Sequence, residues 1–233
     1  MGMYGKKVSA IIASAGIGSR MGTELTKQRI VLGGISIIRR TALVFEGCTA
    51  VDEIVVAARG EEVDFMKEEL KDISKLRTVV VGGKTRVESV KNAFFAVSHD
   101  TDIIAIHDGA RCLITEEQIT SVIDAAVKYG AATAVRTVFD TVKRVDGLGF
   151  IESTLSRDGL KFAATPQIFT YKLYSEALNK LSCTAEITDD NMLVEALGER
   201  VFTVDVGEEN IKVTTPFDLD LAELILRKRG DIK

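Results

Sequence analysis

Two cations follow a glycine-rich turn in the segment A-I-I-A-S-A-G-I-G-S-R-M-G-T-E-L-T-K-Q, residues 10–28. Arg20 offers a planar fork of donors and Lys27 a mobile point charge. Gly16, Gly18 and Gly22 have no Cβ to shield the backbone N–H groups, and such a concavity suits phosphate oxygens. A polyphosphate whose charge rearranges during reaction would use both features. Two further apolar runs end in a similar way. One leads into Gly82-Gly83-Lys84-Thr85-Arg86 with Ser89 shortly after; the other closes on Ile106-His107-Asp108-Gly109-Ala110-Arg111, where a carboxylate and a guanidinium share a tight turn. Each alone is equally well explained as a turn or a loop clamp. Three strand ends bearing glycine plus charge point together to nucleotide chemistry.

Other reactive groups are scarcer. His99 lies in the polar loop S-H-D and reads as surface decoration. His107 closes an apolar run and fits a satisfied, half-buried histidine orienting the Asp108 turn better than a general base, because no Ser–His–Asp or Cys–His pattern accompanies it. Cys48, Cys112 and Cys183 are far apart and lack C-x-x-C spacing, so they read as reduced thiols, with Cys112 filling space beside a candidate site. No H-E-x-x-H or clustered ligand set is present. A metal would therefore arrive with a nucleotide, as Mg²⁺ held mainly by phosphates, with Asp108 the nearest carboxylate. Thr165, in A-A-T-P-Q-I-F, brings a hydroxyl to a proline-stiffened turn. Lys212, between Ile211 and Val213 on a short apolar strand, is an edge charge unless it joins Arg20 and Lys27 as a third cation.

These segments need a scaffold that gathers strand ends. Apolar runs predict strands at Val8–Ala13, Glu53–Ala58, Thr78–Val81, Ile103–His107 and Ala131–Val138, and helical periodicity predicts helices at Ile35–Phe45, Glu61–Leu70, Val87–Val97 and Glu116–Tyr129. The alternation predicts an α/β fold, a Rossmann-like, mainly parallel sheet with helices on both faces. Thr115 with Gln118 forms a capping box, and Thr215-Pro216 with Asp218 opens the last helix. From residue 139 to about 160 the rhythm shifts to D-T-V-K-R-V-D-G-L-G-F-I-E-S-T-L, a β-hairpin around Gly147 and Gly149. Such a hairpin is marginal alone, so this inserted arm is expected to pack on a second subunit. Helices near Tyr171–Leu181 and Asp189–Leu197, a strand Val201–Val206 and a helix Phe217–Arg229 complete the expected order.

The 233 residues suit a single domain, 1–233, carrying the arm as an insert. With Lys+Arg of 30 against Asp+Glu of 34, the net charge of -4 argues against a nucleic-acid binder. No apolar run approaches the roughly 18 residues that cross a bilayer, and residues 1–7 are too short and polar to open a signal peptide. No membrane partner and a cytoplasmic location are expected.

Taken in order from Val8 to Leu226, the motifs resemble the 2-C-methyl-D-erythritol 4-phosphate cytidylyltransferase family: A-x-A-G-I-G-S-R-M-G…K-Q, G-G-x-x-R-x-x-S-V, H-D-x-A-R, D-T-V-K-R-V…T-L-S-R, A-T-P-Q-x-F, T-D-D…L-V-E and N-I-K-V-T-T-P-x-D-L. The resemblance implies transfer of cytidylyl from CTP to the sugar-alcohol phosphate with release of pyrophosphate, on a Rossmann-like fold that dimerises through a β-arm. Mg²⁺ would accompany CTP, with Asp108 as the metal-side carboxylate. It further implies that Arg20, Lys27 and Lys212 are catalytic. Ala15, Gly16, Gly18, Ser19, Gly83, Arg86, Ser89 and Asp108 would surround CTP. Arg111, Thr165 and Thr188 would face the acceptor, joined by Thr141 and Arg157 from a second subunit's arm.

The chain departs from the family pattern at identifiable places. Thr26 and Cys112 stand where prolines are usual, Arg29 where an aromatic often follows Lys-Gln, and Arg39-Arg40 where Glu-His is usual. Loss of two prolines is expected to loosen two site loops. Ribitol 5-phosphate is an alternative acceptor, although the arm sequence matches the methylerythritol group better. An NADP-binding oxidoreductase would explain the glycines and Arg59, but the second strand ends without a ribose-binding acid and Lys27 would have no task. A non-catalytic nucleotide-binding protein is the third possibility.

Overall fold

The computed structural model describes residues 5–16, 26–180 and 187–232, and of Lys27 the backbone only. In chain order come β1 (Val8–Ala13), a 3₁₀ turn at Lys27–Arg29, β2 (Val31–Leu32), β3 (Ile35–Ser36), α1 (Ile37–Gly47), β4 (Glu53–Ala58), α2 (Val63–Glu69) and β5 (Leu76–Val81). Next are α3 (Arg86–Phe94), β6 (Ile103–Asp108), α4 (Glu116–Tyr129), β7 (Ala131–Thr137), β8 (Lys143–Val145) and β9 (Ile151–Thr154). The chain then forms β10 (Lys161–Thr170), α5 (Tyr171–Asn179), α6 (Asn191–Glu195), β11 (Phe202–Asp205) and α7 (Pro216–Arg229).

Seven strands make one sheet in the order β11-β7-β10-β6-β1-β4-β5. The pairs β6–β1, β1–β4, β4–β5 and β11–β7 are parallel, while β10 runs antiparallel between β6 and β7. Both β4 and β6 are buried along their whole length, as expected for strands covered on both faces. Ala10 and Ile12 pack with Ile38, Phe45 and Ile123 on one face, and Ile11 packs with Val90, Phe94 and Tyr174 on the other. Helices α1, α2 and α4 cover the first face, and α3, α5 and α6 the second. A third cluster seats α7 through Ala222, Ile225 and Leu226 against Ile37, Cys112 and Val213.

Local chemistry fixes several element ends. Thr115 and Gln118 form the expected capping box, and Thr215 forms another with Asp218 around Pro216. Ser36 accepts from the Arg39 N–H, so α1 starts two residues later than its apolar period suggests, after the short β2–β3 hairpin. The predicted helix at 87–97 ends at Phe94, and the end predicted at Leu181 lies outside the described residues.

One central strand was not expected. Residues 161–170 form β10, although a proline inside a run argues against a central strand. The ladder with β7 shifts register between Ala163 and Gln167, so Pro166, which follows a cis peptide bond, sits where no N–H is needed. Lys212 also differs from expectation: its segment is no strand of the sheet, and Val213 N–H instead donates to Ala110 O at 2.8 Å. The arm is the expected hairpin, β8 antiparallel to β9, closed where Asp146 Oδ1 accepts from the N–H groups of Leu148 and Phe150 and Gly149 takes φ +90°. No helix among the described residues is long and apolar enough to cross a membrane.

Candidate active site

The carboxyl end of β1 adjoins that of β6 and lies one strand from that of β5, and close approaches lock their loops together. A Cβ on Gly82 would stand 2.5 Å from Ala15 Cβ and 2.8 Å from Ser89 Oγ, so only glycine lets the loop after β5 lie against the end of β1. Ser89, in the first turn of α3, accepts from Gly83 N–H at 3.0 Å and donates to Thr85 O at 2.8 Å. The strand–loop–helix reading of Gly83, Arg86 and Ser89 therefore matches their placement.

The strongest electrostatic feature is an ion cluster around Asp108 at the end of β6. Lys212 Nζ lies 2.9 Å from Asp108 Oδ2, Arg111 Nε 3.5 Å from the same oxygen, and Arg86 Nε 3.4 Å from Oδ1. Burial alone would raise the Asp108 pKa, but Lys212, Arg86 and Arg111 outweigh it and hold the carboxyl well below the usual carboxylate range. Arg86 reaches a second buried carboxylate, with Nη1 2.5 Å from Asp190 Oδ2. Burial would lower its pKa, yet Asp190 and Asp108 raise it above the ordinary value. Arg111 is shifted down by burial, and it spends Nη1 on Asn210 O at 2.9 Å.

Neutral groups hold this cluster in shape. His107, fully buried, has its pKa pushed down to about 4 by desolvation, so at neutral pH it carries no charge. Its partners define one tautomer: Nε2–H donates to Arg111 O at 3.1 Å, while Thr165 Oγ1–H donates to Nδ1 at 3.0 Å. Thr165 Oγ1 in turn accepts from Asp108 N–H at 3.0 Å. His107 thus orients the Asp108 turn, as its sequence context suggested. Asn210 Nδ2 donates to Thr165 O at 2.9 Å, tying the segment that carries Lys212 to β10.

A cleft of about 200 Å³ opens over the cluster and brings together Arg111, Thr165 and Thr188 with Arg86, Asp108 and Lys212. Thr188 is exposed there, donating through N–H and Oγ1 to Met192 Sδ. Ala15 is half-buried and Gly16 exposed at the end of β1. Gly18, Ser19 and Arg20 lie outside the described residues, as does the side chain of Lys27, whose backbone forms the 3₁₀ turn Lys27–Arg29. Thr141 and Arg157 are exposed on the arm, away from this cleft, and Arg157 Nη1 donates to Phe139 O within the arm. Cys112 is buried in the α7 cluster and burial pushes its thiol up to about 11, which matches a space-filling role.

Three contributors escaped the sequence reading. Asp190 is fully buried, accepts from Tyr174 OH at 2.6 Å and from Arg86, and its own N–H donates to Gln167 Oε1 at 2.8 Å. Asp190, Gln167 and Asn210 lie inside the motifs T-D-D, A-T-P-Q-x-F and N-I-K-V but were given no role of their own, since none sits beside a glycine at a parallel strand end. Among the described residues no three His, Cys, Asp or Glu side chains converge as a metal site, and both oxygens of Asp108 face cations.

A mainly parallel sheet carrying glycine loops and a cationic cluster around a buried carboxylate at its strand ends defines an α/β fold of nucleotidyltransferase type. The family model for IspD, 2-C-methyl-D-erythritol 4-phosphate cytidylyltransferase, matches residues 8–228, and the chain belongs to that family. It is 43% identical over 230 residues to the 2-C-methyl-D-erythritol 4-phosphate cytidylyltransferase of Clostridium tetani, covering 97% of this chain and 93% of that one. It is 42% identical over 227 residues to the protein of the same name from Pelotomaculum thermopropionicum, covering 96% and 95%. The crystal structure of 4-diphosphocytidyl-2C-methyl-D-erythritol synthase from Anaerococcus prevotii superposes with a TM-score of 0.86 at 31% identity, covering 96% of this chain and 99% of that one.

Proposed function

We propose that this chain transfers the cytidylyl group of CTP to the phosphate of 2-C-methyl-D-erythritol 4-phosphate, releasing pyrophosphate and forming 4-diphosphocytidyl-2-C-methyl-D-erythritol. The observation that carries the reading is the cluster of Arg86, Arg111 and Lys212 around the buried Asp108, beneath a cleft in a chain that matches the family from residue 8 to residue 228. An acceptor phosphate oxygen attacks the α-phosphorus in line and the β,γ-pyrophosphate leaves, so the chain needs no nucleophilic side chain. What it must supply is positive charge held in place before two anions meet. We assign that task to Arg20, Lys27 and Lys212. Ala15, Gly16, Gly18, Ser19, Gly83, Arg86, Ser89 and Asp108 are assigned to CTP, and Arg111, Thr165 and Thr188 to the acceptor.

Mg²⁺ belongs to the substrate in this reading, carried on CTP by phosphate oxygens, which suit a hard cation. Asp108, enclosed by three cations, does not fit a resident metal ligand. Its task is to hold Lys212, Arg86 and Arg111 in register. The active form is a homodimer, with residues 1–233 one nucleotidyltransferase unit and Thr141 and Arg157 reaching the partner's acceptor site from the arm. The bare apolar side chains of the arm, Leu148 at 85% and Phe150 at 70% exposure, support that assembly.

The test is steady-state turnover of MgCTP with the two candidate acceptors. The expected result is a clear kcat/KM preference for 2-C-methyl-D-erythritol 4-phosphate over ribitol 5-phosphate. The reverse preference overturns the choice of acceptor, and turnover with neither overturns the activity.

A further inference from the structure

The glycine-rich segment leaves β1 after Ala13, and its far end returns at Thr26 near the carboxyl end of the neighbouring strand β4. Glu62 stands there, 5% exposed, at the junction of a 3₁₀ turn (Gly60–Glu62) and α2. Its carboxylate caps neither helix. Instead Thr26 Oγ1 donates to Oε2 at 2.9 Å, and Arg29 Nε lies 3.1 Å from Oε1 and 3.2 Å from Oε2. Arg29 also stacks its guanidinium on Phe65, Cζ 4.2 Å from the ring centroid, and its N–H donates to Thr26 O at 3.0 Å.

A carboxylate is costly to bury unless it is paired, and both oxygens of this one are spent on residues 26 and 29. Lys27 lies between those two anchored positions. Thr26 and Arg29 converge on this one group.

We propose that Glu62 is a positioning residue for the cytidylyl transfer: it fixes the returning end of the glycine-rich segment and thereby sets where Lys27 stands. A proline at position 26 would restrict the segment through a fixed φ; here a hydrogen bond and an ion pair do so. The proposal rests on the role assigned to Lys27 above, and its test separates the two.

Glu62→Ala, Thr26→Val, Lys27→Ala and the Glu62→Ala/Lys27→Ala double variant are assayed for kcat and for KM toward CTP and toward the acceptor, alongside thermal unfolding. Glu62→Ala is expected to lower kcat/KM for CTP about tenfold, the scale of a misplaced reacting group, with KM for the acceptor unmoved. On the Lys27→Ala background the same change should cost less than about twofold, because both act through one side chain. Adding Thr26→Pro to Glu62→Ala should restore most of the loss. If Glu62→Ala does not fold, Thr26→Val, which keeps the Arg29 pair, carries the same readout with about a threefold loss, the scale of one charge-assisted hydrogen bond partly replaced by water. Full activity in both Glu62→Ala and Thr26→Val overturns the proposal. So does a full tenfold cost of Glu62→Ala added to a damaging Lys27→Ala, which leaves the function of Lys27 standing. Unchanged turnover in Lys27→Ala itself overturns the role of Lys27 and the proposal together.

Discussion

The ion cluster at the end of β6 and the β-arm solve opposite problems. In the cluster, charged groups are buried: Asp108, Arg111 and Asp190 are each at most 8% exposed and each meets an opposite charge. In the arm, apolar groups are bare: every residue of β8 and β9 is exposed, and the hairpin is held by its own ladder and an Asp146 turn. The cluster is finished by one chain before any ligand arrives, which is how preorganised charge is most effective. The arm leaves its apolar side chains for the proposed partner subunit to cover, since an isolated two-stranded hairpin is marginal in water. In the proposed reading one region serves chemistry and the other assembly, and each can be broken separately.

Breaking the cluster at its buried carboxylate should cost most. Asp190→Asn leaves Arg86 short of a charge partner, and we expect urea unfolding to show a loss of about 3 kcal/mol together with a raised KM for CTP. Lys212→Ala should spare stability more and chemistry less, lowering kcat/KM by about 10²-fold or more in a pyrophosphate-release assay, the scale of one lost charge stabiliser.

The cluster also has a pH signature that the arm lacks. His107 titrates near 4 when folded against an ordinary 6.5, because burial disfavours its charged form. Above about pH 6.5 it is neutral in both states and its contribution is fully present; as pH falls toward 4 the unfolded chain takes a proton that the folded chain refuses, costing about 3 kcal/mol. Urea unfolding from pH 7.5 to pH 4.5 should show that loss in the parent protein and a flatter profile in His107→Asn. A flat parent profile contradicts a His107 held neutral by burial. On the arm, Leu148→Asp with Phe150→Asp should convert dimer to monomer by sedimentation and lower turnover about tenfold, with the far-ultraviolet dichroism unchanged.

The cluster and the arm were not equally legible in the sequence. Strands Val8–Ala13 and Glu53–Ala58 and helix Glu116–Tyr129 were legible to the residue, because buried parallel strands read as unbroken apolar runs and a capping box marks its helix start. The arm was legible from its alternation and its glycines. β10 was not, because Pro166 makes a central strand read as a turn until the register shift beside it is seen. The same strand supplies Thr165 and Gln167, so the Thr165–His107 hydrogen bond and the Gln167–Asp190 link were hidden with it. Asp108 and Arg111 were legible as charges sharing a turn, and Lys212 as an edge charge on a short strand; that three cations converge on one carboxylate depends on side-chain reach across β6, α3 and the segment before α7. Thr26 read as a weak point because a proline is usual there; the sequence does not show that its hydroxyl donates to Glu62 Oε2, 36 positions later, at 2.9 Å.

The most direct test of a site divided between a prebuilt cluster and a partner's arm is to mix two damaged chains. Lys212→Ala and Arg157→Ala subunits, each expected at about a tenth of the parent turnover or less alone, are coexpressed with separate tags and assayed with MgCTP and 2-C-methyl-D-erythritol 4-phosphate. In a twofold-symmetric dimer half the assemblies are mixed and each of those has one intact site, so turnover should recover to about a quarter of the parent value. Turnover no higher than the mean of the two variants alone would contradict a site completed across the dimer.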